Sequence, residues 1–325
     1  MSTSIMLSGN GELSSLRIPE VSQRAEARGF SGLWFGETTL RDATILTTIA
    51  AASTKRIQLG TSIVNVFTRT PSQLALVATT LNEFSGGRFT LGLGVSTSAL
   101  VQNWHGQRFR KPMQRLDETV LLLRKYFSNE KFSYEGAYSS PSGARLRVGP
   151  PPKIALAALN DQMLAKSAGL ADRIILNLYP PSRVQHALSI IDEVCKANGR
   201  PRPIMSAMLY AYMLDNINRG IEAGKELAAF YGSAPPYLAL FSSLGYDRES
   251  KAMVAAWKEK DRERVKATVP VEMVKSLTVL GSTQDLRDRI TEYFKVGIDD
   301  VFICPTPFGD YEANLREILA KYCPT

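Results

Sequence analysis

The chain has few of the residues and patterns that mark metal, disulfide or membrane proteins. It contains two histidines and three cysteines (Cys195, Cys304 and Cys323), and the cysteines are too scattered for a disulfide framework or a zinc site. No apolar run approaches the roughly 20 residues needed to span a bilayer. Residues 1–11 lack the basic start and long apolar core of a secretory signal. We therefore expect a reduced, cytoplasmic protein without a bound metal or a membrane partner.

Motifs for nucleotide binding and for nucleophilic catalysis are also missing. The two Gly-x-Gly pairs, at 9–11 and 92–94, lack the third glycine of the dinucleotide fingerprint, and there is no Walker loop or nucleophile elbow. We interpret the glycine pairs as tight packing at strand ends. A protein that supplies no reactive side chains of its own often binds an organic cofactor that carries out the chemistry.

The charge is basic, with a formal net value of +8 and a pI near 9.3. Lysine and arginine are spread along the chain, and no segment combines a basic run with aromatic residues. This distribution argues against a nucleic-acid partner. We expect the positive charge to serve solubility or to attract an anionic cofactor or substrate.

Alternating apolar and amphipathic segments predict eight strand–helix units. The strands are expected at Ser4–Ser8, Gly32–Gly36, Arg56–Val64, Arg88–Val95, Lys153–Leu159, Arg173–Leu178, Ile204–Leu214 and Asp300–Cys304. Near-continuous apolar strands that alternate with helices indicate a parallel sheet covered by helices. Eight such units in succession predict an α/β fold of the (β/α)8 TIM-barrel type. A doubly wound open sheet is the alternative.

The whole chain, residues 1–325, is expected to form one domain. Helices are predicted over Leu13–Arg28, Asp42–Ser53 with Asp42 as N-cap, and Pro71–Phe84 with proline in the first turn. Two insertions are expected, at about 95–152 after the fourth strand and 216–280 after the seventh, the second mostly helical.

In a barrel of this kind the active site lies in the loops after the strands. One such loop leads from Leu159 into a predicted helix, where Asn160, Asp161 and Gln162 would present free backbone N–H groups to a phosphate. The alternative is that Asn160 or Asp161 is a simple N-cap. The residues by themselves leave both interpretations open.

Several blocks of sequence resemble the bacterial-luciferase-like superfamily of flavin and deazaflavin oxidoreductases. They are Gly-Leu-Trp-Phe-Gly-Glu (32–37), Leu-Gly-Thr-Ser-Ile-Val-Asn-Val-Phe-Thr-Arg-Thr-Pro (59–71) and Ser-Gly-Gly-Arg-Phe-Thr-Leu-Gly-Leu-Gly-Val-Ser (85–96). Trp-His-Gly-Gln-Arg-Phe-Arg-Lys-Pro (104–112) and Ile-Ala-Leu-Ala-Ala-Leu (154–159) resemble its deazaflavin branch, typified by methylenetetrahydromethanopterin reductase. The similarity covers nearly the whole chain, in order.

The resemblance implies a barrel that binds coenzyme F420, an 8-hydroxy-5-deazaflavin, with FMN as the alternative. It implies a bulge with a non-prolyl cis peptide at Ser62-Ile63, behind the cofactor ring, and it suggests a homodimer. The residues implied to contact the cofactor are Ser62, Ile63, Asn65, Arg69, Val95, Ser96, Thr97, Leu159, Asn160, Asp161 and Gln162. The last four would hold the cofactor's phosphate.

The chain departs from the sugar-phosphate dehydrogenases of this family at two positions. Glu37 is followed by Thr38, where those enzymes have a histidine, and Thr97 stands in the loop where they carry a glutamate. Sugar-phosphate oxidation is therefore disfavoured. Hydride transfer to or from an imine, enone or methylene-type substrate is favoured, because such substrates need orientation more than a strong protein base.

Glu37 and Thr38 are the candidate catalytic residues. A carboxylate at the end of a buried strand is costly unless it is paired or used, so we interpret Glu37 as a site residue. A structural ion pair, with Arg41 or Arg69 as partner, is the alternative. We interpret His105 as a packing or gating residue rather than a proton donor.

The sequence thus predicts an F420-dependent oxidoreductase that acts on a small organic substrate. The alternatives are an FMN-dependent monooxygenase supplied by a separate flavin reductase, and a flavin-binding protein without turnover. The substrate is not specified, because the walls that would select it belong to the segments 128–152 and 216–280, which carry no recognised motif.

Overall fold

A closed barrel of eight parallel strands forms the centre of the computed structural model, which describes residues 1–147 and 149–324. The ten strands are β1 (Ser2–Leu7), β2 (Gly32–Phe35), β3 (Gln58–Thr61), β4 (Val64–Asn65), β5 (Phe89–Gly94), β6 (Lys153–Ala157), β7 (Arg173–Asn177), β8 (Ile204–Tyr212), β9 (Thr278–Leu280) and β10 (Asp300–Pro305). Strand β10 pairs with both β8 and β1, which closes the ring. The short strands β4 and β9 are additions to the ring and pair with β5 and β8. The predicted TIM barrel is confirmed.

Helices follow every strand of the ring. They are α1 (Ile18–Ala27), α2 (Ala43–Ser53), α3 (Pro71–Phe84), α4 (Pro112–Phe127), α5 (Asp161–Leu170), α6 (Pro181–Ala197), α7 (Ile217–Tyr231), α8 (Pro235–Ser243), α9 (Asp247–Lys258), α10 (Arg262–Ala267), α11 (Val271–Leu277), α12 (Thr283–Lys295) and α13 (Tyr311–Lys321). Helices α7 to α11 form the insertion after β8. Across residues 1–147 and 149–324, no helix has both the length and the apolar character needed to cross a bilayer.

Apart from shifts of one or two residues at the strand ends, two predicted elements differ from those observed. The third strand, expected to run without a break over Arg56–Val64, is interrupted after Thr61 and resumes as β4. The first helix, expected from Leu13, begins as a 3-10 turn over Ser15–Arg17 and becomes α-helical at Ile18. The α-helix begins there because Pro19 lacks a backbone N–H, which is tolerated in a first turn but not in a helix interior.

Side chains fix the starts of the two helices beside the site. Asp42 Oδ1 accepts hydrogen bonds from Thr44 N at 2.8 Å and Ile45 N at 3.3 Å, so the predicted N-cap of α2 is confirmed. Helix α3 begins with a capping box of Thr70 and Gln73, with Pro71 in its first turn. Each cap also orients the loop that enters its helix from the barrel.

The inside of the barrel is identified by a contact between two distant strands. The guanidinium of Arg173, on β7, lies 5.1 Å from the ring centre of Trp34, on β2. Three other strands separate β7 from β2 around the ring, so both side chains point inward. Arg173 also donates to Asp300 at 2.8 Å, which makes a buried ion pair in the N-terminal half of the barrel. Because strand residues alternate between faces, Asn177, four residues after Arg173, points inward at the C-terminal end.

The segment predicted as an insertion, Ser128–Pro152, packs against α4, and residue 148 lies outside the described residues; a position over the barrel stays a prediction. It is anchored by Glu118 of α4, a buried carboxylate. This carboxylate accepts hydrogen bonds from three consecutive backbone N–H groups, at residues 137–139, over 2.8 to 2.9 Å. A buried carboxylate that receives three N–H groups is fully compensated, so this contact holds the segment against α4.

Candidate functional site

A bulge separates β3 from β4 at the C-terminal edge of the barrel. The peptide between Ser62 and Ile63 is cis, as the resemblance implied. Beside it the hydroxyl of Thr61 donates to the carbonyl of Gly92 and accepts from its N–H, both at 2.9 Å. This side chain therefore replaces the strand ladder across the bulge. A Cβ atom at Gly92 would lie 1.8 Å from the carbonyl oxygen of Thr61, so only glycine allows the approach.

Small residues surround this bulge at the mouth of the barrel. Gly36, Ser62, Gly94 and Ala157 stand at or just after the ends of β2, β3, β5 and β6, and none is larger than serine. The Ser62 hydroxyl is buried and has no hydrogen-bond partner within the described part of the chain. This half of the mouth thus has space above small side chains and a hydroxyl, that of Ser62, without a partner. Both features suit a planar ring that carries hydrogen-bonding groups. The residues present therefore fit a flavin-type group.

Glu37, Arg69 and Asp42 form a charged cluster beside the mouth. Both nitrogens of the Arg69 fork bind the Glu37 carboxylate, Nη1 to Oε1 and Nη2 to Oε2, each at 2.7 Å. Nη2 also donates to Asp42 Oδ2 at 2.6 Å. The backbone N–H of Ala43, at the start of α2, donates to Glu37 Oε2 at 3.2 Å. Glu37 is only 8% exposed, and its charge is compensated by one arginine and a helix N-terminus.

Hydrogen bonds and charges within this cluster shift the pKa values of Arg69 and Asp42. Hydrogen bonding to Glu37 raises the pKa of Arg69, and this effect outweighs the loss of solvation on burial. Burial alone would raise the pKa of Asp42, but hydrogen bonds from Thr44 and the charge of Arg69 together lower it. The Arg69 guanidinium therefore lies between two carboxyl groups, each of which it binds at 2.6 to 2.7 Å. The alternative of an ion pair for Glu37 is observed, with Arg69 as the partner, and a catalytic role stays a prediction.

A cleft of about 360 Å³ opens next to this cluster. Its lining includes the predicted residues Glu37, Thr38 and Arg69, together with Trp104 and His105. The hydroxyl of Thr38 donates to the carbonyl of Gly9 at 2.6 Å, which ties the loops after β1 and β2 together.

Trp104 ends a π-helical turn over Ala99–Trp104 and His105 follows it directly, and both residues line the cleft. Trp104 is 61% exposed. His105 Nε2 is buried and has no hydrogen-bond partner in residues 1–147 and 149–324. This position at the cleft entrance agrees with the predicted gating role of His105, which stays a prediction.

Other residues predicted to contact the cofactor shape the backbone of the same loops. Asn65 Oδ1 accepts from Phe67 N at 3.0 Å and from Thr68 N at 3.1 Å, so it folds the loop that carries Arg69. After β5, Val95, Ser96 and Thr97 are partly buried, and Ser96 has a left-handed φ of 61°. Thr97 Oγ1 accepts from Leu100 N at 3.3 Å, which starts the π-helical turn. These contacts allow the residues to line a cofactor pocket, and their binding to a cofactor stays a prediction.

The predicted phosphate turn lies between the end of β6 and the start of α5. Asn160 is the N-cap, because its Oδ1 accepts from Met163 N at 2.9 Å. Asp161 pairs with His186 Nε2 at 2.8 Å on the surface. Leu159 is partly buried and Gln162 is exposed. Asn160 is therefore the N-cap of α5, and binding of a phosphate at this turn stays a prediction. The Asn160 cap still leaves the first backbone N–H groups of α5 without intrahelical partners, as at the start of every α-helix.

The structure also brings together four polar residues that the sequence did not single out: Asn177, Tyr210, Tyr231 and Tyr237. They come from β7, β8, α7 and α8, and they meet on the other half of the mouth. Asn177 and Tyr210 could have been found from their positions near strand ends. The two tyrosines of the insertion could not, because no motif marks them.

Comparison with known proteins identifies a family and several relatives that this chain resembles. Residues 7–300 match the family described as luciferase-like monooxygenase. A 5,10-methylenetetrahydromethanopterin reductase of Archaeoglobus fulgidus is 27% identical over 305 residues, which cover 91% of each chain.

Two solved structures share the fold over nearly their whole length. The coenzyme F420-dependent tetrahydromethanopterin reductase of Methanopyrus kandleri superposes with a TM-score of 0.83 at 22% identity, covering 98% of this chain and 97% of that one. An F420-dependent secondary alcohol dehydrogenase, in complex with an F420-acetone adduct, gives a TM-score of 0.78 at 15% identity, over 99% and 98% of the two chains. Since the family match spans most of the sequence, the chain belongs to the luciferase-like monooxygenase family.

Proposed function

We propose that the protein is a coenzyme F420-dependent oxidoreductase that transfers a hydride between the deazaflavin and a small imine, enone or methylene-pterin type substrate. The observation that carries the proposal is similarity along nearly the whole chain to a methylenetetrahydromethanopterin reductase and to a solved tetrahydromethanopterin reductase that is named as F420-dependent. The mouth of the barrel supports it, because its small residues leave room for a ring of flavin size.

The residues around the bulge would hold the ring. Ser62 and Ile63 form its back wall, and the free hydroxyl of Ser62 offers one hydrogen bond to a ring heteroatom. Asn65 and Arg69, with Val95, Ser96 and Thr97, are proposed as the sides of the pocket. A bound deazaflavin supplies or accepts the hydride, and the protein's part is to orient the two reactants and exclude water.

The turn Leu159 to Gln162 would hold the cofactor's phosphate. The N–H groups of Asp161 and Gln162 stand at the positive end of α5, and Asn160 fixes the turn without using them. The formal charge of +8 suits a cofactor with an acidic tail.

Glu37 and Thr38 are proposed to act at the substrate end of the cleft that they line. Thr38 is held by the Gly9 carbonyl, so its hydroxyl oxygen can still accept a hydrogen bond. Glu37 fixes Arg69 in the cleft wall through two hydrogen bonds. The pair therefore offers an oriented positive group and a neutral hydroxyl to a substrate, rather than a free base.

The experiment compares the binding of F420 with that of FMN. Fluorescence quenching measures both affinities at low and at moderate salt. We expect tighter binding of F420, weakened by added salt because its tail is anionic. Equal or tighter binding of FMN, with no effect of salt on F420, would overturn the proposal.

An FMN-dependent monooxygenase is the second candidate, and the description of the family favours it. Reduced FMN bound in such an enzyme reacts with oxygen, whereas a deazaflavin reacts with it poorly. Oxygen uptake by the protein with reduced FMN, and none with reduced F420, would decide for the monooxygenase.

A further inference from the structure

The four polar residues at the second half of the mouth form a connected group, which we name the tyrosine cluster: Asn177, Tyr210, Tyr231 and Tyr237. The hydroxyl oxygens of Tyr210 and Tyr231 are 2.8 Å apart. Asn177 Nδ2 donates to the Tyr237 hydroxyl at 2.7 Å. The rings of Tyr231 and Tyr237 pack with their centres 4.6 Å apart, which joins the two hydrogen-bonded pairs.

The cluster is directed into the barrel. Arg173, which is inside, donates to Ser206 of β8 at 2.5 Å, so Ser206 is inside as well. Tyr210 follows Ser206 by four residues and Asn177 follows Arg173 by four, so both occupy the inward face at the C-terminal end. Tyr231 and Tyr237 reach the same place from α7 and α8 and are only partly buried.

The hydrogen-bonding capacity of the cluster is not used up. Within the Tyr210–Tyr231 pair one hydroxyl donates to the other, which leaves one O–H proton free. The Tyr237 oxygen accepts from Asn177, so its own O–H is free to donate. Asn177 Oδ1 is buried and has no partner among the described residues. Turning the amide by 180° exchanges the roles of Asn177 and Tyr237, and the two residues still present one donor beside one acceptor.

A buried polar atom without a partner, such as Asn177 Oδ1, is costly unless a ligand pairs with it. Loss of solvation raises the pKa of Tyr210, Tyr231 and Tyr237. The three hydroxyls are therefore neutral donors throughout the physiological pH range.

We propose that the tyrosine cluster binds the polar group of the substrate, and that this group is a carbonyl oxygen or imine nitrogen next to an N–H, as in a lactam or a cyclic amidine. The acceptor atom of the substrate receives the Tyr237 hydrogen bond while its N–H donates to Asn177. This proposal rests on the proposed function, since it names the substrate class of the same site. The two hydrogen bonds fix the orientation of the substrate at the mouth of the barrel, so that its reducible bond faces the cofactor.

The test uses the cofactor-free protein and three small probes in ligand-observed saturation-transfer NMR. δ-Valerolactam has the N–H beside the carbonyl, N-methyl-δ-valerolactam lacks the N–H, and cyclohexanone has the carbonyl alone. We expect the lactam to bind about three- to tenfold more tightly than either of the other two, the usual effect of one hydrogen bond.

The variants are Tyr237→Phe and Asn177→Leu, with Tyr293→Phe as matched control. Tyr293 is also buried, but its hydroxyl donates to the carbonyl of Tyr179 at 3.1 Å, outside the cluster. We expect Tyr237→Phe and Asn177→Leu each to abolish the preference for the lactam, and Tyr293→Phe to keep it. Either substitution suffices, so misfolding of one leaves the other as the test. Equal binding of the three probes by the natural protein, or a preference that survives both substitutions, would overturn the proposal.

The proposed function is tested separately by F420 fluorescence with the same proteins. Binding of F420 without lactam selectivity would overturn only the substrate class. Lactam selectivity that depends on Tyr237, without F420 binding, would overturn the cofactor and support the substrate site.

Discussion

Arg69 binds both carboxylate oxygens of Glu37 at 2.7 Å, although 32 residues separate them in sequence. The two side chains are 17% and 8% exposed, so the pair is shielded from salt and solvent. Asp42 shares the same arginine but is 37% exposed, and it also caps α2. The two acids therefore allow an internal comparison.

Glu37→Gln keeps the size of the side chain and removes its charge. We expect turnover to fall by roughly 10²-fold, the usual scale of acid–base or charge assistance, with F420 affinity within a few-fold of the natural protein. The melting temperature should also fall, because Arg69 loses its best partner. Steady-state kinetics and thermal denaturation are the measurements.

Asp42→Asn is the matched control for Glu37→Gln. Asparagine caps a helix about as well as aspartate, so this variant weakens the contact with Arg69 without removing the cap. We expect nearly normal turnover. If both variants lower the melting temperature and neither affects turnover, Glu37 has a structural role only.

The pH dependence of stability provides a second test of the cluster. The pKa of Asp42 is lower in the folded protein than its ordinary value near 3.9. A lowered carboxyl pKa stabilises the fold above the ordinary value, and the contribution is lost as the pH falls through the folded-state pKa. The melting temperatures of the natural protein and of Asp42→Asn should therefore differ by a constant amount above about pH 5 and converge below about pH 4. Parallel curves down to pH 2.5 would contradict this account.

Thr61→Val tests the bulge. Valine has the shape of threonine but leaves the buried N–H and carbonyl of Gly92 without their partner, which should cost about 2–4 kcal/mol in the free energy of unfolding. The control is Thr79→Val, since the Thr79 hydroxyl donates to a helical carbonyl, that of Ala75, at 2.7 Å. That carbonyl keeps its helical hydrogen bond, so we expect a loss of less than about 1 kcal/mol. Similar losses, measured by urea denaturation, would show that the Thr61 bridge adds no stability.

Asp161→Asn tests the phosphate turn. The carboxylate lies in the first turn of α5 and repels a phosphate placed there, while Asn160 keeps the cap. We expect the substitution to tighten binding of F420 by about two- to fivefold, the effect of one screened charge, without changing the affinity for the deazaflavin riboside that lacks the phosphate. Asp192→Asn, on the surface of α6, should change neither affinity. An equal gain for F420 and the riboside would place the phosphate elsewhere.

Local signals determined much of the fold. The N-cap Asp42, the first-turn proline of α3 and the apolar strands depend on residues close together in the chain, so the sequence was enough to predict the barrel. The apolar pattern predicted the third strand without interruption, whereas the structure breaks it after Thr61. The resemblance identified a bulge there, whereas the side-chain pattern did not, because the bridge from Thr61 to Gly92 joins two strands 31 residues apart.

The partners within the site depended on the tertiary structure. Sequence reasoning proposed Arg41 or Arg69 for Glu37, and only the folded loops show that Arg69 is the one that binds it. The tyrosine cluster joins the ends of two barrel strands to two insertion helices, with Asn177 and Tyr237 60 residues apart. A hydrogen bond between residues so distant leaves no periodic or local pattern, because its geometry exists only once the helices pack on the barrel. The sequence by itself therefore determined the barrel and the family, while the packing of the insertion decided which polar groups meet at the mouth of the barrel.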